Sequence, residues 1–266
     1  RMVVSSGSNR AVSDTLATDI TPEQVDSYFD VGGNALWLQA GQGLNWNHAN
    51  RLAQVTLVKR ENGENDRESY QYDSQGNRLR KTTFTLTDNT TQIQQVIYLP
   101  GLELRIASMS DDSGSVTVND ALVVNVLAGG QGIAACHLYR EKGQEDAITA
   151  AGQLRLSLGN NIDSVMLELD GNGAIVSREE YFPFGGTAVL AGDSAELKYK
   201  YIRYSGKERD GSGLYYFGRR YYMPWLGRWA SSDPAGTVDG CNLYRMVRNN
   251  PVCYRDSNGL WPAGMP

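Results

Sequence analysis

Two carboxylates near the C-terminal end of the chain have a spacing that could serve acid–base chemistry. Asp233 precedes a proline in residues 231–236, and Asp256 opens the run Asp-Ser-Asn-Gly-Leu. An aspartic protease needs two carboxyl groups close enough to share a proton, because adjacent like charges drive one pKa upward. The protonated group polarises a carbonyl while the ionised group activates water. Asp-Pro and Asp-x-x-Gly are also ordinary turn formers. The spacing of the two aspartates alone is therefore equally compatible with two turns.

The sequence contains few of the residues that other kinds of catalytic site need. His48 and His137 are the only histidines, and neither an HExxH nor a GxSxG motif is present. The three cysteines form no CxxC pair, which argues against a thiolate zinc site or a disulfide framework (Cys136, Cys241 and Cys253). We expect them to be reduced and buried, although Cys241 and Cys253 could pair. The sequence therefore predicts no metal and no cofactor.

A glycine-rich segment at 130–135 matches the dinucleotide pattern G-x-G-x-x-A. That pattern binds pyrophosphate only where it turns a strand into a helix within a βαβ unit. The segment that follows, 137–142, is short and polar, and the neighbouring sequence has the pattern of hairpins. A glycine turn between two strands is the favoured interpretation.

Composition and charge narrow the class of partner. The 266 residues carry a formal net charge of -5, which gives no electrostatic footprint for nucleic acid or an anionic membrane. The longest apolar stretch, 121–135, is shorter than the roughly 20 residues that span a bilayer. No signal peptide is visible at the start. We expect protein partners, and Arg1 in place of methionine suggests a piece of something larger.

The elements that would position the carboxylates are predicted to be mostly short β-strands. Glycine is frequent, and tyrosine outnumbers phenylalanine 15 to 5. An Asn-Gly pair at 62–63 predicts a hairpin. Strand, Asp-x-x-Gly turn, strand occurs at 70–79 and again, more weakly, at 167–175. Such units indicate an extended, repeat-built sheet.

Two short helices and two loops interrupt this pattern. Thr21, Pro22 and Gln24 predict a capped helix that ends at the glycine pair 32–33. Apolar spacing predicts a second helix over 242–248, stopped by Pro251. Segments 110–118 and 143–152 have the composition of loops.

The aromatic run 215–225 has two interpretations. Arginines between aromatic residues suit a stacking surface for bases, and tyrosines suit sugars. Large aromatics that alternate on a strand more often form core and cross-strand pairs. The acidic balance of the chain favours packing.

Residues 201–260 carry an ordered series of motifs that resembles the Rhs repeat-associated core domain. The motifs are Arg203-Tyr204-Ser205-Gly206-Lys207-Glu208, Gly213-Leu214-Tyr215-Tyr216, Arg220-Tyr221-Tyr222, Gly227-Arg228-Trp229, Asp233-Pro234-Ala235-Gly236 and Asn242-Leu243-Tyr244. The strand–turn units resemble the YD repeat of Rhs proteins. Segments 98–103 and 179–186 are similar in particular to the C component, TccC-type, of insecticidal toxin complexes.

The resemblance implies an architecture and a set of partners. In that family the C component and its B partner form a hollow β-sheet shell around a variable C-terminal toxin. The expected partners are therefore the B component, indirectly the A-component pore, and the passenger toxin polypeptide, with no nucleic acid and no direct membrane insertion. The protein would be secreted or host-delivered. The implied division is a YD-repeat shell segment over 1–200, a core domain over 201–260, and a truncated start of the released segment over 261–266.

The resemblance also implies self-cleavage after a leucine, with roles for particular residues. The scissile bond would be Leu260–Trp261. Asp233 would be the essential carboxylate, Arg220 its required partner, and Asp256 a second acid beside the cut. Arginine suits the role of partner to a catalytic carboxylate because it stays charged and can orient the carboxylate or stabilise an oxyanion.

Two rival interpretations remain at this point. One is a non-catalytic YD-repeat protein with a structural or carbohydrate- and cell-surface-binding role. The other is a degenerate remnant that still cleaves itself but has lost its toxin.

Overall fold

The chain folds as a mostly antiparallel β structure, as predicted. The computed structural model describes residues 1–87, 90–111, 114–128, 131–141 and 153–264. Within these ranges, no helix is long and apolar enough to cross a membrane. The helices in this described part of the chain are short: α1 (Ser194–Leu197) and four 3₁₀ turns at Val25–Tyr28, Tyr204–Gly206, Gly236–Asp239 and Val247–Asn249.

The strands form one long meander and three small sheets. β1 (Met2–Val4) pairs with β2 (Ala11–Ser13). The 13-stranded sheet follows chain order and contains β3 (Trp37–Gln39), β4 (Gln42–Trp46), β5 (Leu52–Val58), β6 (Asp66–Tyr72), β7 (Arg78–Thr87), β8 (Thr90–Leu99), β9 (Leu102–Asp111), β10 (Gly114–Ala128), β11 (Gln131–Glu141), β12 (Gln153–Gly159), β13 (Val165–Leu169), β14 (Ile175–Tyr181) and β15 (Thr187–Gly192). A four-stranded sheet contains β16 (Glu208–Arg209), β17 (Tyr215–Tyr216), β18 (Tyr221–Met223) and β19 (Arg228–Trp229), and the last pair is β20 (Tyr254–Asp256) with β21 (Pro262–Gly264).

The two repeated strand–turn units have the predicted structure. The carboxylate of Asp73 accepts the Asn77 backbone N–H at 2.8 Å, between β6 and β7. The carboxylate of Asp170 accepts the Asn172 and Ala174 N–H groups at 2.9 and 2.8 Å, between β13 and β14. An aspartate that bonds its own backbone closes each turn, which lets successive strands pair in chain order.

The segment with the dinucleotide pattern joins antiparallel strands. β10 pairs with β11 from Asn119↔Glu141 to Ala128↔Gln131, which is a hairpin rather than a βαβ crossover. Positions 129–130 lie outside the described residues. The loop prediction for 110–118 was wrong, because β9 and β10 pair through its described positions, and 143–152 lie outside the described residues.

Of the two predicted helices, the first is shortened and the second is absent. The Gln24 side chain does reach back to the Thr21 N–H at 3.0 Å, but only a four-residue 3₁₀ turn follows. Residues 242–246 instead run beside β19, where the Trp229 N–H donates to the Tyr244 carbonyl at 3.0 Å. Met246 and Val247 are buried, and Val247 begins the 3₁₀ turn Val247–Asn249. The apolar side chains are therefore buried by an irregular segment that bonds to β19, and no helix forms over 242–246.

Most of the aromatic run packs into the core rather than forming a stacking surface, although Trp225 is 38% exposed. Buried rings of the run and of β19 belong to one core cluster (Tyr215, Phe217, Tyr222 and Trp229). The Trp229 ring stands edge-on to the Phe217 ring with centroids 5.1 Å apart. Two cysteines, Cys241 and Cys253, are free and exposed, so the expectation that they are buried was wrong.

A buried charge cluster joins the long sheet to the C-terminal part of the chain. Arg78 and Lys81 on β7 meet Glu208 and Asp210 in four ion pairs of 2.5 to 2.8 Å. The Glu208 carboxylate also accepts the hydroxyl of Tyr98 at 2.7 Å. Because every member has a charged partner, the desolvation cost of burial is offset by attraction and hydrogen bonds.

Glu208→Gln tests this cluster. Removing one charge leaves buried Arg78 and Lys81 short of a partner, so we expect the free energy of unfolding to fall by about 3 kcal/mol. The matched control is Glu180→Gln, which breaks an exposed pair with Arg178 and is expected to cost less than about 1 kcal/mol. Thermal and denaturant unfolding of the three proteins measure both changes. Equal costs would contradict the proposed anchoring.

Candidate functional site

The predicted site residues lie on short elements of the C-terminal sheets. Arg220 directly precedes β18, and Asp233 follows β19 in a turn. Asp256 is the last residue of β20 and pairs with Pro262, the first residue of β21. Residues 257–261, which contain the predicted scissile bond, therefore form the loop of a hairpin.

Arg220 brings both carboxylates to one place. Its side chain is buried, and its Nη2 lies 2.9 Å from Asp233 Oδ2 and 3.8 Å from Asp256 Oδ2. The Trp229 ring lies beneath it, with the guanidinium carbon 4.2 Å from the ring centroid. Stacking on an indole and pairing with a carboxylate are both geometries that a planar guanidinium favours.

The same guanidinium also binds the loop that carries the predicted scissile bond. Its Nη2 donates to the Leu260 carbonyl at 3.2 Å, and its Nε donates to the Gly259 carbonyl. Its Nη1 donates to the Leu243 carbonyl at 3.2 Å, which fixes the plane of the group. The carbonyl of the predicted scissile bond and the Asp233 carboxylate thus share one donor nitrogen.

The two carboxylates are held in different ways. Asp256 Oδ1 accepts the Asn258 and Gly259 backbone N–H groups at 3.0 and 2.7 Å, so this carboxylate shapes the loop. Asp233 Oδ1 accepts the Ala235 N–H at 2.8 Å. Burial raises the pKa of both aspartates, and Arg220 opposes the rise in each case. Burial lowers the pKa of Arg220, and the two aspartates oppose that shift.

The arrangement has a feature that sequence spacing did not predict. A guanidinium nitrogen lies within reach of both carboxylates, whereas a shared-proton pair has the two carboxyl groups facing each other. A cation in that position favours the ionised form of each acid. The geometry suits one carboxylate that activates water beside a carbonyl polarised by arginine.

The loop makes contacts that sequence reasoning missed. Lys207 donates its ammonium to the Ser257 carbonyl at 2.7 Å, and the Arg219 N–H donates to the Asn258 carbonyl at 3.0 Å. Lys207 belongs to the first motif of the core-domain series, which was the available signal. The backbone donor of Arg219 left no signal in the sequence.

The residue after the predicted cut is held much less closely. Trp261 is 52% exposed, and Pro262 has no N–H to donate to the ladder.

Among the residues that the structure describes, no three His, Cys, Asp or Glu side chains are grouped to hold a metal ion.

Comparisons with known proteins place these features in a family. Residues 1–41 match the family model of the tripartite Tc toxins repeat. Toxin subunit YenC1 of Yersinia entomophaga is 45% identical over 264 residues, which are 98% of this chain and 26% of YenC1. The crystal structure of TcdB2-TccC3 has a TM-score of 0.89 and 50% identity, over 98% of this chain and 12% of that one. Over nearly its whole length, the chain resembles the TccC-type components of the Tc toxins.

A further solved structure agrees with this assignment. The Photorhabdus luminescens Tc holotoxin pore, with a mutated TccC3, has a TM-score of 0.89 and 49% identity over 100% of this chain and 12% of its own. The chain spans about a quarter of the length of YenC1.

Gly259→Ala tests the close packing of the loop on the arginine. A Cβ at this position would lie 2.9 Å from the Arg220 backbone nitrogen, and φ is +79°. The control is Gly173→Ala, where φ is +82° and nothing lies within 4 Å of the new Cβ. Both variants incur the left-handed strain of roughly 1 kcal/mol, so we expect a larger loss of unfolding free energy only in Gly259→Ala. Equal losses in denaturant unfolding would show that the loop is not in close contact with Arg220.

Proposed function

We propose that this chain is the part of a toxin-complex shell component that encapsulates a C-terminal toxin and releases it by cutting its own backbone after Leu260. The observation that carries the proposal is one shared nitrogen. Arg220 Nη2 donates to the Leu260 carbonyl and pairs with the Asp233 carboxylate. A general base, an electrophile activator and a peptide carbonyl therefore meet at one buried point.

The proposed reaction is hydrolysis of the Leu260–Trp261 peptide bond. The ionised Asp233 accepts a proton from water as the water oxygen attacks the Leu260 carbonyl carbon. The carboxyl group of Asp233 then gives this proton to the Trp261 nitrogen as the carbon–nitrogen bond breaks, so Trp261 leaves as an amine and Asp233 is ionised again. The new carboxyl group of Leu260 loses its proton to solvent.

Arg220 stabilises the charge that develops in this step. Its Nη2 already donates to the carbonyl oxygen that becomes the oxyanion. The guanidinium is buried and fixed by Trp229 and the Leu243 carbonyl, so it needs little reorganisation as charge builds up.

Asp256 has a positioning role in this scheme. Its Oδ1 organises the loop through two backbone N–H groups. Its Oδ2 lies 3.8 Å from Arg220 Nη2, so its charge also helps to hold the guanidinium in place. Catalyst and substrate belong to one chain, so proximity supplies much of the rate enhancement.

The shell function is supported by the long meandering sheet and by the relatives. Each strand of the 13-stranded sheet pairs with its neighbours in chain order, which suits a continuous wall. TccC3 has been solved with TcdB2 and in a holotoxin pore. By the same arrangement, the partners of the whole protein would be a B component, indirectly an A-component pore, and the enclosed toxin, which is delivered to a host.

Asp233→Asn is expected to abolish self-cleavage. The amide cannot accept the water proton, so the chain should keep residues 261–266, whereas the unchanged chain loses them. Denaturing intact-mass measurement of the purified proteins resolves the two forms.

The control for this variant is Asp170→Asn. Asp170 closes the turn between β13 and β14 through the Asn172 and Ala174 N–H groups and is not among the residues that contact Arg220 or Asp233. It should cut as the unchanged chain does. An uncut parent chain, or an Asp233→Asn variant that still cuts, would overturn the proposed function.

The rate of self-cleavage is expected to depend on pH. Burial raises the pKa of Asp233, and the carboxylate must be ionised to act as a base. The rate should therefore rise with pH through a midpoint above about 3.9, the ordinary value for aspartate. Sampling freshly synthesised chain over time at several pH values, with intact mass as readout, measures the midpoint. A rate that is constant down to pH 4 in folded protein would contradict this role.

A further inference from the structure

The loop before the proposed cut is held at every carbonyl. The donors to the four consecutive carbonyls of 257–260 are the Lys207 ammonium, the Arg219 N–H, and Arg220 Nε and Nη2. Peptide carbonyls accept strong hydrogen bonds, and a charged donor makes the bond shorter and stronger. The backbone of residues 257–260 is thus bound much as an enzyme binds a substrate.

Lys207 provides the contact farthest from the proposed scissile bond. It follows the 3₁₀ turn Tyr204–Gly206, and its Nζ lies 5.4 Å from the centroid of the Phe217 ring. The Cβ atom of Phe217 lies 3.3 Å from the position that a Cβ on Gly259 would take. Lys207 and Phe217 therefore lie against opposite ends of the Ser257–Gly259 segment.

The lysine makes this contact in a partly desolvated place. Burial lowers its pKa, and the charge of Asp256 opposes that shift. A lysine side chain usually keeps its ammonium group in water. Here the ammonium is directed to a backbone carbonyl at 2.7 Å. That contact fixes the start of the loop, while Asp256 fixes its middle through the Gly259 N–H.

We propose that Lys207 is a positioning residue for self-cleavage, which sets the register of the loop so that the Leu260 carbonyl faces Arg220. This inference rests on the proposed function. Small displacements of a reacting group slow a reaction strongly, because the attacking geometry is narrow. Lys207 does not touch the scissile bond, so it acts through the loop backbone.

The test compares Lys207→Met with Lys207→Arg. Methionine keeps the length and apolar stem but has no donor, and we expect self-cleavage to slow about 10-fold, the effect of one charged hydrogen bond. Arginine restores a cationic donor and should recover most of the rate. The control is Lys198→Met, since Lys198 is exposed and contacts the Tyr199 ring rather than the loop. Rates come from the uncut fraction of chain sampled during cell-free synthesis.

The outcomes separate this inference from the proposed function. If the parent chain cuts and Lys207→Met cuts equally fast, the positioning role is wrong and self-cleavage stands. If the parent chain never cuts, both proposals fail. Thermal unfolding is measured for each Lys207 variant in the uncut Asp233→Asn background. Slow cutting in both variants, in step with lower unfolding temperatures, would show a structural role only and would also overturn the inference.

Discussion

The buried guanidinium of Arg220 is the interaction on which the C-terminal part of the structure depends. A cation removed from water is unfavourable unless its donors are all used, and here they bind two loop carbonyls, the Leu243 carbonyl and a carboxylate. Trp229 closes the face of the group. Elements distant in the chain therefore have to meet around this one side chain, and the loop at 257–261 is shaped by it.

The sequence predicted the strand–turn units well because their signals are local. Asp73 and Asp170 close their turns with their own side chains, and no distant partner is needed. The helix expected at 242–248 failed for the opposite reason. Its apolar residues are buried equally well by an irregular segment that bonds to β19, and this pairing is a tertiary contact that periodicity does not encode.

The site was predicted in part, and the reason lies in how its residues are coupled. Motif resemblance named Arg220, Asp233, Asp256 and the bond after Leu260, and the structure brings these groups together. The motif resemblance could not show that the Arg220 guanidinium lies within reach of both aspartate carboxylates. That position depends on the β20–β21 loop lying against residues 219 and 220, and on Asp233 following β19 in a turn, which no residue spacing reveals. Lys207 was overlooked because its partner is a backbone oxygen.

Residues 257–260 are bound by more side-chain contacts than the residues that follow, and this difference affects what happens to the site after a cut. The contacts from Lys207, Arg219 and Arg220 all reach carbonyls before the bond, while Trp261 faces solvent and the strand that follows begins with a proline. Under the proposed function, a chain end created at Leu260 would stay where it is and place a permanent anion against the guanidinium. The described residues after the bond are held by the short ladder of β20 and β21 and would depart more readily. The retained product would then occupy the site and confine it to a single use.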